Sequence, residues 1–241
     1  MFDKARSIQI AWFLPFEPPA PAELFDAITG QEPDAFQKVS PPNAPFPIIT
    51  QVVNRGNVQH RVQSHIGRVD YFIEAIATEQ PVGMLDAPLV HLAQALSRIA
   101  LIGETLGEVT RVAIILNLCE KVGSFQESAA IFNKLFSNHI TLTDDRDLMF
   151  QTSRRTGDST GYFNRLLRWS TEYFSFQQIV NGVPAAGMSL VESYYVNYMI
   201  DVNTVPAENV IFQPSEHSEL FARVAAIADG LTSLGRIEDL Q

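Results

Sequence analysis

Two stretches of this chain carry apolar residues spaced 4, 3, 4, 3, and each closes a similar run of elements. Leu85, Leu89, Leu92, Leu96 and Ile99 form the first stripe. Leu220, Val224, Ile227, Leu231 and Leu234 form the second. This spacing lines one face of a helix, and an apolar helical face has to pack on something. The first helix is expected to begin at Asp86 as N-cap, with Pro88 in its first turn. The second is expected to begin at Ser215 after Pro214, with Glu216 and Glu219 near the positive end of the helix dipole.

Each run opens with a strand. Ile8, Ile10, Trp12 and Leu14 alternate with Ser7, Gln9, Ala11 and Phe13. Val112, Ile114, Leu116 and Leu118 alternate with Ala113, Ile115, Asn117 and Cys119. Apolar residues on both faces indicate strands covered, or nearly covered, on both sides. A short helix follows each strand. The first starts near Pro21 and buries Leu24, Phe25 and Ile28. The second has Ser124 and Glu127 at capping-box spacing and buries Ile131, Phe132 and Leu135. Phe25 matches Phe132 at an offset of 107 residues, and Leu92 matches Ile227 at 135. The difference, 135 − 107 = 28, predicts an insertion in the β-rich part of the second half.

Nine of the 14 prolines lie between Pro15 and Pro47, so the stretch from Gly30 to Pro47 is neither a regular helix nor a central strand. An extended crossover along the sheet edge is expected there. Three strand segments follow: Ile48 to Val53, Val58 to Ile66 and Val69 to Ile76. Arg55-Gly56-Asn57 makes a hairpin turn between the first two, and Ile66-Gly67-Arg68 is either a second turn or a bulge. In the second half, Leu148 to Arg155 reads as strand and Thr156 to Gly161 as loop. Phe163 to Val180 reads as strand, because Trp169, Thr171, Tyr173, Phe174 and Phe176 suit a pleated surface. Asn181 to Gly187 reads as loop. Leu190, Tyr194, Val196, Tyr198, Ile200 and Val202 then share one parity, with Ser189, Ser193, Asn197 and Asp201 on the other. One polar face indicates a sheet with one covered side and one open side.

The expected fold is α+β: a mostly antiparallel sheet with helices packed on one face, built from two β-α-β-β-β-α halves. Residues 1–107 form the first half and residues 108–241 the second, within one continuous domain. In element order alone, the arrangement resembles the saddle of TATA-binding proteins and duplicated ferredoxin-like folds. No motif accompanies the resemblance, so no binding residues are carried over.

Charged residues make up 18%, below the roughly 25% of ordinary soluble domains, which favours a surface partly covered by a partner. The net charge of −10 argues against broad contact with a phosphate backbone. Cys119 is the one cysteine, so no intramolecular disulfide forms, and it is expected to be a small core residue. Met1-Phe2-Asp3-Lys4 leads straight into an alternating pattern, so no leader is expected. No stretch reaches 18 uncharged apolar residues, so no membrane helix is expected either. The cytoplasm is the default location.

No phosphate-binding loop, dinucleotide fingerprint, zinc-protease motif or nucleophile elbow is present. No catalytic residue, cofactor or metal is therefore assigned. His60 and His65 have opposite strand parity and do not share a metal. Asp144, Asp145 and Asp147 lack calcium-loop spacing and read as a solvated turn. Two candidate sets remain. Arg154, Arg155, Arg165, Arg168 and Trp169 are candidates for contact with a partner. Asp70, Glu74 and Asp201 are candidates for lining a pocket. The leading expectation is a non-enzymatic protein that binds another protein, or a second copy of itself, through the open sheet face. The alternative is a small-molecule or enzymatic site between sheet and helices. Nucleic-acid binding along an arginine-lined strand ranks below both.

Overall fold

The computed structural model describes residues 2–40, 46–77, 82–135, 147–158, 161–176, 179–180, 183–184, 191–205 and 210–233. Asp144, Asp145, Ser189, Leu190 and Leu234 lie outside these residues. The first half runs β1 (Lys4–Phe13), α1 (Pro21–Thr29), β2 (Ala35–Val39), β3 (Ile48–Arg55), β4 (Val58–His65) and β5 (Arg68–Ala75). It ends with β6 (Leu85–Asp86), α2 (Pro88–Leu96) and α3 (Ile99–Leu106). The second half runs β7 (Arg111–Val122), α4 (Phe125–Leu135), β8 (Met149–Asp158) and β9 (Gly161–Phe176). The small hairpin β10 (Ile179–Val180) and β11 (Val183–Pro184) follows, then β12 (Val191–Thr204), a 3-10 turn (Pro214–Glu216) and α5 (His217–Thr232).

The fold is α+β. Ten strands form one antiparallel sheet in the order β2-β3-β4-β5-β1-β7-β12-β9-β8, with β6 paired to the start of β1. The two opening strands, β1 and β7, lie side by side at the centre. Outward from that pair, each side continues with the last, middle and first strand of its own meander. The likeness is one of element order, and duplication of a half does not follow from it. The second meander is the longer one: β8, β9 and β12 span 10, 16 and 14 residues, against 8 each for β3, β4 and β5.

Two local expectations are corrected. The first closing helix is broken. Leu85 and Asp86 pair with Ala5 and Lys4 as β6, and Asp86 forms an ion pair with Lys4 at 3.0 Å instead of capping a helix. Ala87, in a left-handed conformation (φ 48°), turns the chain into α2. A break at Ser97-Arg98 then lets Arg98 donate to the carbonyls of Ala27 and Asp26 at 2.9 and 3.1 Å, which ties α1 down. Secondly, Thr156 to Asp158 continue β8, with register pairs running to Asp158 opposite Gly161. The proline-rich stretch runs extended along the sheet edge, as its composition indicates, and contains β2, an exposed edge strand paired to β3. Prolines on either side of it hold the edge position. Gly67, at φ 74°, resolves the ambiguous segment as a turn between β4 and β5.

Among the described residues, helices cover one face only. Beneath them a continuous apolar cluster joins both halves, from Ala5 in β1 to Leu231 in α5. Phe25 and Phe132, the matched residues of the short helices, are both buried. Trp12 packs on Phe221 of α5 with ring centres 5.4 Å apart. Trp169 stacks on Tyr198 at 4.7 Å with planes 10° apart, and the Tyr198 hydroxyl donates to the Leu231 carbonyl at 3.2 Å. Burial raises the Tyr198 phenol, which keeps that donor protonated. Trp169 is 1% exposed, so its role is in the core. Trp169→Ala is expected to cost about 3–5 kcal/mol in chemical denaturation, as for other buried tryptophans.

Two histidines are enclosed in the same layer. His60 sits on the core side of β4 with Nδ1 2.7 Å from the Tyr71 hydroxyl. Burial, with smaller contributions from Arg55 and His91, lowers its pKa from 6.5 to about 4. Burial pushes the Tyr71 phenol up to about 12, so the contact joins two neutral groups. Burial also lowers His217. Unfolded histidine binds a proton near pH 6.5, where folded His60 does not. The stability this provides is complete above that pH and is lost as pH falls toward 4. The shift of 6.5 − 4 = 2.5 corresponds to roughly 3 kcal/mol for His60. His60→Gln is expected to flatten the slope of unfolding free energy over this range, leaving the His217 contribution.

Candidate functional site

Among the described residues, no helix packs on the opposite face of the sheet. Side chains directly paired across antiparallel strands share a face, so the register assigns this one. Ser7, Gln9, Ala11 and Phe13 of β1 stand on it beside Asn117, Ile115, Ala113 and Arg111 of β7. On one side it continues through Asp70, Phe72 and Glu74 of β5 to Arg61 of β4. On the other it continues through Asn197, Met199 and Asp201 of β12 to Ser170, Arg168 and Leu166 of β9.

This face is built from arginines laid on aromatic rings. Arg61 lies 3.8 Å from the centre of Phe72, and both Arg68 and Arg111 lie 4.7 Å from that of Phe13. Arg6 lies 5.0 Å from Tyr195 and 5.6 Å from Phe174. Three of these arginines also hold carboxylates. Arg61 grips Glu74 through Nε and Nη2 at 3.1 and 3.0 Å. Arg68 grips Asp70 through the same two nitrogens at 2.8 Å each, and Gln9 adds a bond to Asp70 at 2.7 Å. Arg6 pairs with Glu172 through Nη1. Burial lowers the Arg111 pKa, while Asp201 acts to raise it.

The sign of this face differs from that of the whole chain. Lys4, Arg6, Arg61, Arg68, Arg111, Lys121, Arg155 and Arg168 face Asp70, Glu74, Asp86, Glu172 and Asp201, so the balance among the described residues is 8 − 5 = +3. The chain as a whole carries −10. A partner approaching the sheet therefore meets a mildly positive patch on an acidic molecule.

At the centre lies a hollow of about 180 Å³ lined by Arg6, Ser7, Asn117, Leu118, Arg168, Ser170, Glu172, Asn197 and Met199. Asn117 donates to Ser7 Oγ at 2.8 Å, and Asn197 Nδ2 lies 3.5 Å from Ser170 Oγ. Arg168 Nη2 lies 3.5 Å from the Met199 sulfur. The register slips by one residue between Ala5 and Ser7, so Ala5 faces the core while Arg6 and Ser7 both face the hollow. Cys119 lies buried on the neighbouring strand. Burial raises its thiol pKa, against a smaller lowering influence from Arg6.

The predicted residues are divided by this geometry. Asp70, Glu74 and Asp201 all stand on the open face, not in the layer between sheet and helices, which apolar side chains fill. Asp70 and Glu74 are each held by an arginine, and Asp201 accepts from Asn203 at 2.8 Å. The four arginines do not form one patch. Arg155 and Arg168 are on the open face, whereas Arg154 and Arg165 pair on the other face. Arg168 lines the central hollow, and Trp169 next to it is buried on the opposite side. Sequence reasoning did not single out Arg6, and Asn117 and Asn197 entered only as polar positions in strand patterns. The one trace of the Arg6 bulge is that Ala5 and Ile8, three apart, both point inward, and alanine is too small to mark a face.

A larger cleft of about 430 Å³ lies where the ends of β9 and β12 meet α5. Its apolar floor is Phe163, Val205, Phe212 and Leu220, and Glu219 and Arg223 stand at its rim. The Arg223 guanidinium lies 4.7 Å from the Phe163 ring centre. Among the described residues, no three His, Cys, Asp or Glu side chains group to hold a metal. No described helix is long and apolar enough to cross a membrane. No family model, curated protein or solved structure matches the chain.

Proposed function

We propose that this chain is a cytoplasmic binding or assembly protein that uses the open face of its sheet to hold another protein or a second copy of itself. The observation that carries this reading is the stacking of Arg6, Arg61, Arg68 and Arg111 on Phe13, Phe72, Phe174 and Tyr195. Arginine and aromatic residues are the types enriched where protein surfaces meet and where binding energy concentrates. Ring contact also holds the long arginine side chains in place before a partner arrives, which reduces the ordering cost of binding. A single nucleic-acid strand stacks on similar surfaces. Here, however, three of the arginines are engaged by carboxylates, and the overall charge opposes a polyanion. A protein is therefore the favoured occupant. Phe72→Glu replaces the ring under Arg61 and adds a negative charge to the face. Sedimentation velocity and affinity capture are expected to show an assembly or retained partner with the wild-type chain and its loss with this variant, at similar melting temperature. A strictly monomeric wild type that retains no partner overturns the reading.

A second reading rests on the cleft beside α5, whose size falls within the roughly 300–1,000 Å³ of small-molecule sites. Its apolar floor with Glu219 and Arg223 at the rim suits an amphipathic ligand. Under this reading, medium-chain amines or carboxylates raise the melting temperature of the wild type and not of Leu220→Arg, which fills the floor. No shift with either class removes it.

A further inference from the structure

One end of the sheet is β2, and its pairing with β3 decides what its outer edge offers. In an antiparallel ladder, hydrogen-bonded pairs alternate with pairs that are not bonded. The two-residue turn Gly56-Asn57 makes Arg55 and Val58 a bonded pair, so Val53, Gln51 and Ile49 bond to β4. Ile48, Thr50 and Val52 turn their backbone groups toward β2, where they stand opposite Val39, Gln37 and Ala35. Phe36 and Lys38 therefore direct their N–H and C=O groups outward. No described strand lies beyond them.

The side chains of this edge are open too. Every residue of β2 is exposed, and Phe36 is 58% exposed. Phe36 stands opposite Gln51 and Lys38 opposite Ile49, which places both on the helix-covered side of the sheet, at its margin. Asp34, two residues before Phe36, has the same parity. Its Oδ2 accepts from the Asn54 backbone N–H at 2.9 Å, which holds it beside β3. Acid, ring and base thus follow one another at two-residue spacing. Turned half a circle about Phe36, this row meets itself with each charge opposite its counterpart.

We propose that β2 pairs antiparallel with β2 of a second copy of this chain, about a two-fold axis through Phe36. Each Phe36 then faces the other and exchanges both backbone hydrogen bonds with it. Lys38 of each copy stands opposite Asp34 of the other and donates its N–H to the Asp34 carbonyl. The Asp34 N–H stays on the Val52 carbonyl at 2.8 Å. Lysine on a short edge strand discourages indiscriminate pairing. Here it also selects the register, because a slip of two residues in either direction sets Phe36 opposite a charge. Paired residues share a face, so the joined sheets carry their helices on one common side. This edge is separate from the open face, and the inference does not rest on the open-face reading.

Sedimentation velocity of the intact protein over a range of concentrations is expected to show a reversible monomer–dimer equilibrium. Amide hydrogen exchange reads the edge in the wild type. The Phe36 and Lys38 N–H groups are expected to become protected as dimer forms, while those of Ala35 and Gln37, already bonded to β3, change little. Asp34→Lys and Lys38→Asp each create two like-charge pairs across the axis, and each is expected to weaken dimerisation about tenfold. Mixed together, the two variants are expected to form a heterodimer of near wild-type strength, because lysines on one copy then face aspartates on the other. A role in folding alone would not be rescued by mixing. A wild type that is monomeric at every concentration, or a dimer whose Phe36 and Lys38 amides stay unprotected, overturns the proposal. The wild-type exchange decides this even where Asp34→Lys loosens β2 by losing the bond to Asn54. A dimer that survives Phe72→Glu and weakens in both charge variants supports the edge and removes self-association from the open face. A dimer lost with Phe72→Glu and unchanged in both charge variants belongs to the open face and overturns the edge.

Discussion

The pairing of β1 with β7 is the contact on which the rest of the structure depends. It is the only described strand pairing between the first half of the chain and the second, and it lies in the middle of the sheet. Ile8, Ile10 and Trp12 face Leu116, Ile114 and Val112 across it, all fully buried, so the join is made in the core. Each half then has one meander to add on the outside, and each meander brings its closing helices back over the same face. Had the two opening strands been polar on both sides, neither half would have had a buried strand against which to order its helices.

The same pairing creates the binding chemistry. Its covered face supplies the apolar core, and its uncovered face places Phe13, Gln9 and Ser7 against Arg111, Ile115 and Asn117. Strands β4, β5, β9 and β12 add charged residues to a row already started at the centre. Arginines on this sheet face would repel one another if they stood alone. Rings beneath them and carboxylates beside them make the row tolerable. The bulge in β1 breaks this regularity at one position and turns Arg6 into a hollow that the other arginine–carboxylate pairs do not border. A regular strand would have kept Arg6 and Ser7 on opposite faces.

Much of the architecture was legible in residue spacing. The alternation in β12 identified a covered and an uncovered face, and the unequal offsets of Phe25 with Phe132 and Leu92 with Ile227 located the longer meander. The opening strands β1 and β7, apolar on both sides, read as covered on both, yet the described helices lie over one face alone. What failed to read depended on contacts between distant residues. Asp86 has every local property of an N-cap, and Lys4, 82 positions earlier, draws it into a strand pair instead. Leu85 through Ile99 has unbroken helical spacing, and the carbonyls of Asp26 and Ala27 reward a break at Arg98. Arg154, Arg155, Arg165 and Arg168 cluster in sequence, yet strand parity sends two to each face.

The sequence by itself determined the class of fold and which strand faces are apolar, because both follow from periodicities that a local stretch carries within itself. Only the tertiary structure decided which polar residues meet. Arg6, Asn117, Arg168 and Asn197 come from four strands spread over 191 intervening steps of chain (197 − 6 = 191). No local pattern encodes their convergence. It is set by register, and register is fixed by the pairing of whole strands and by one bulge, which shift every side chain's neighbour at once.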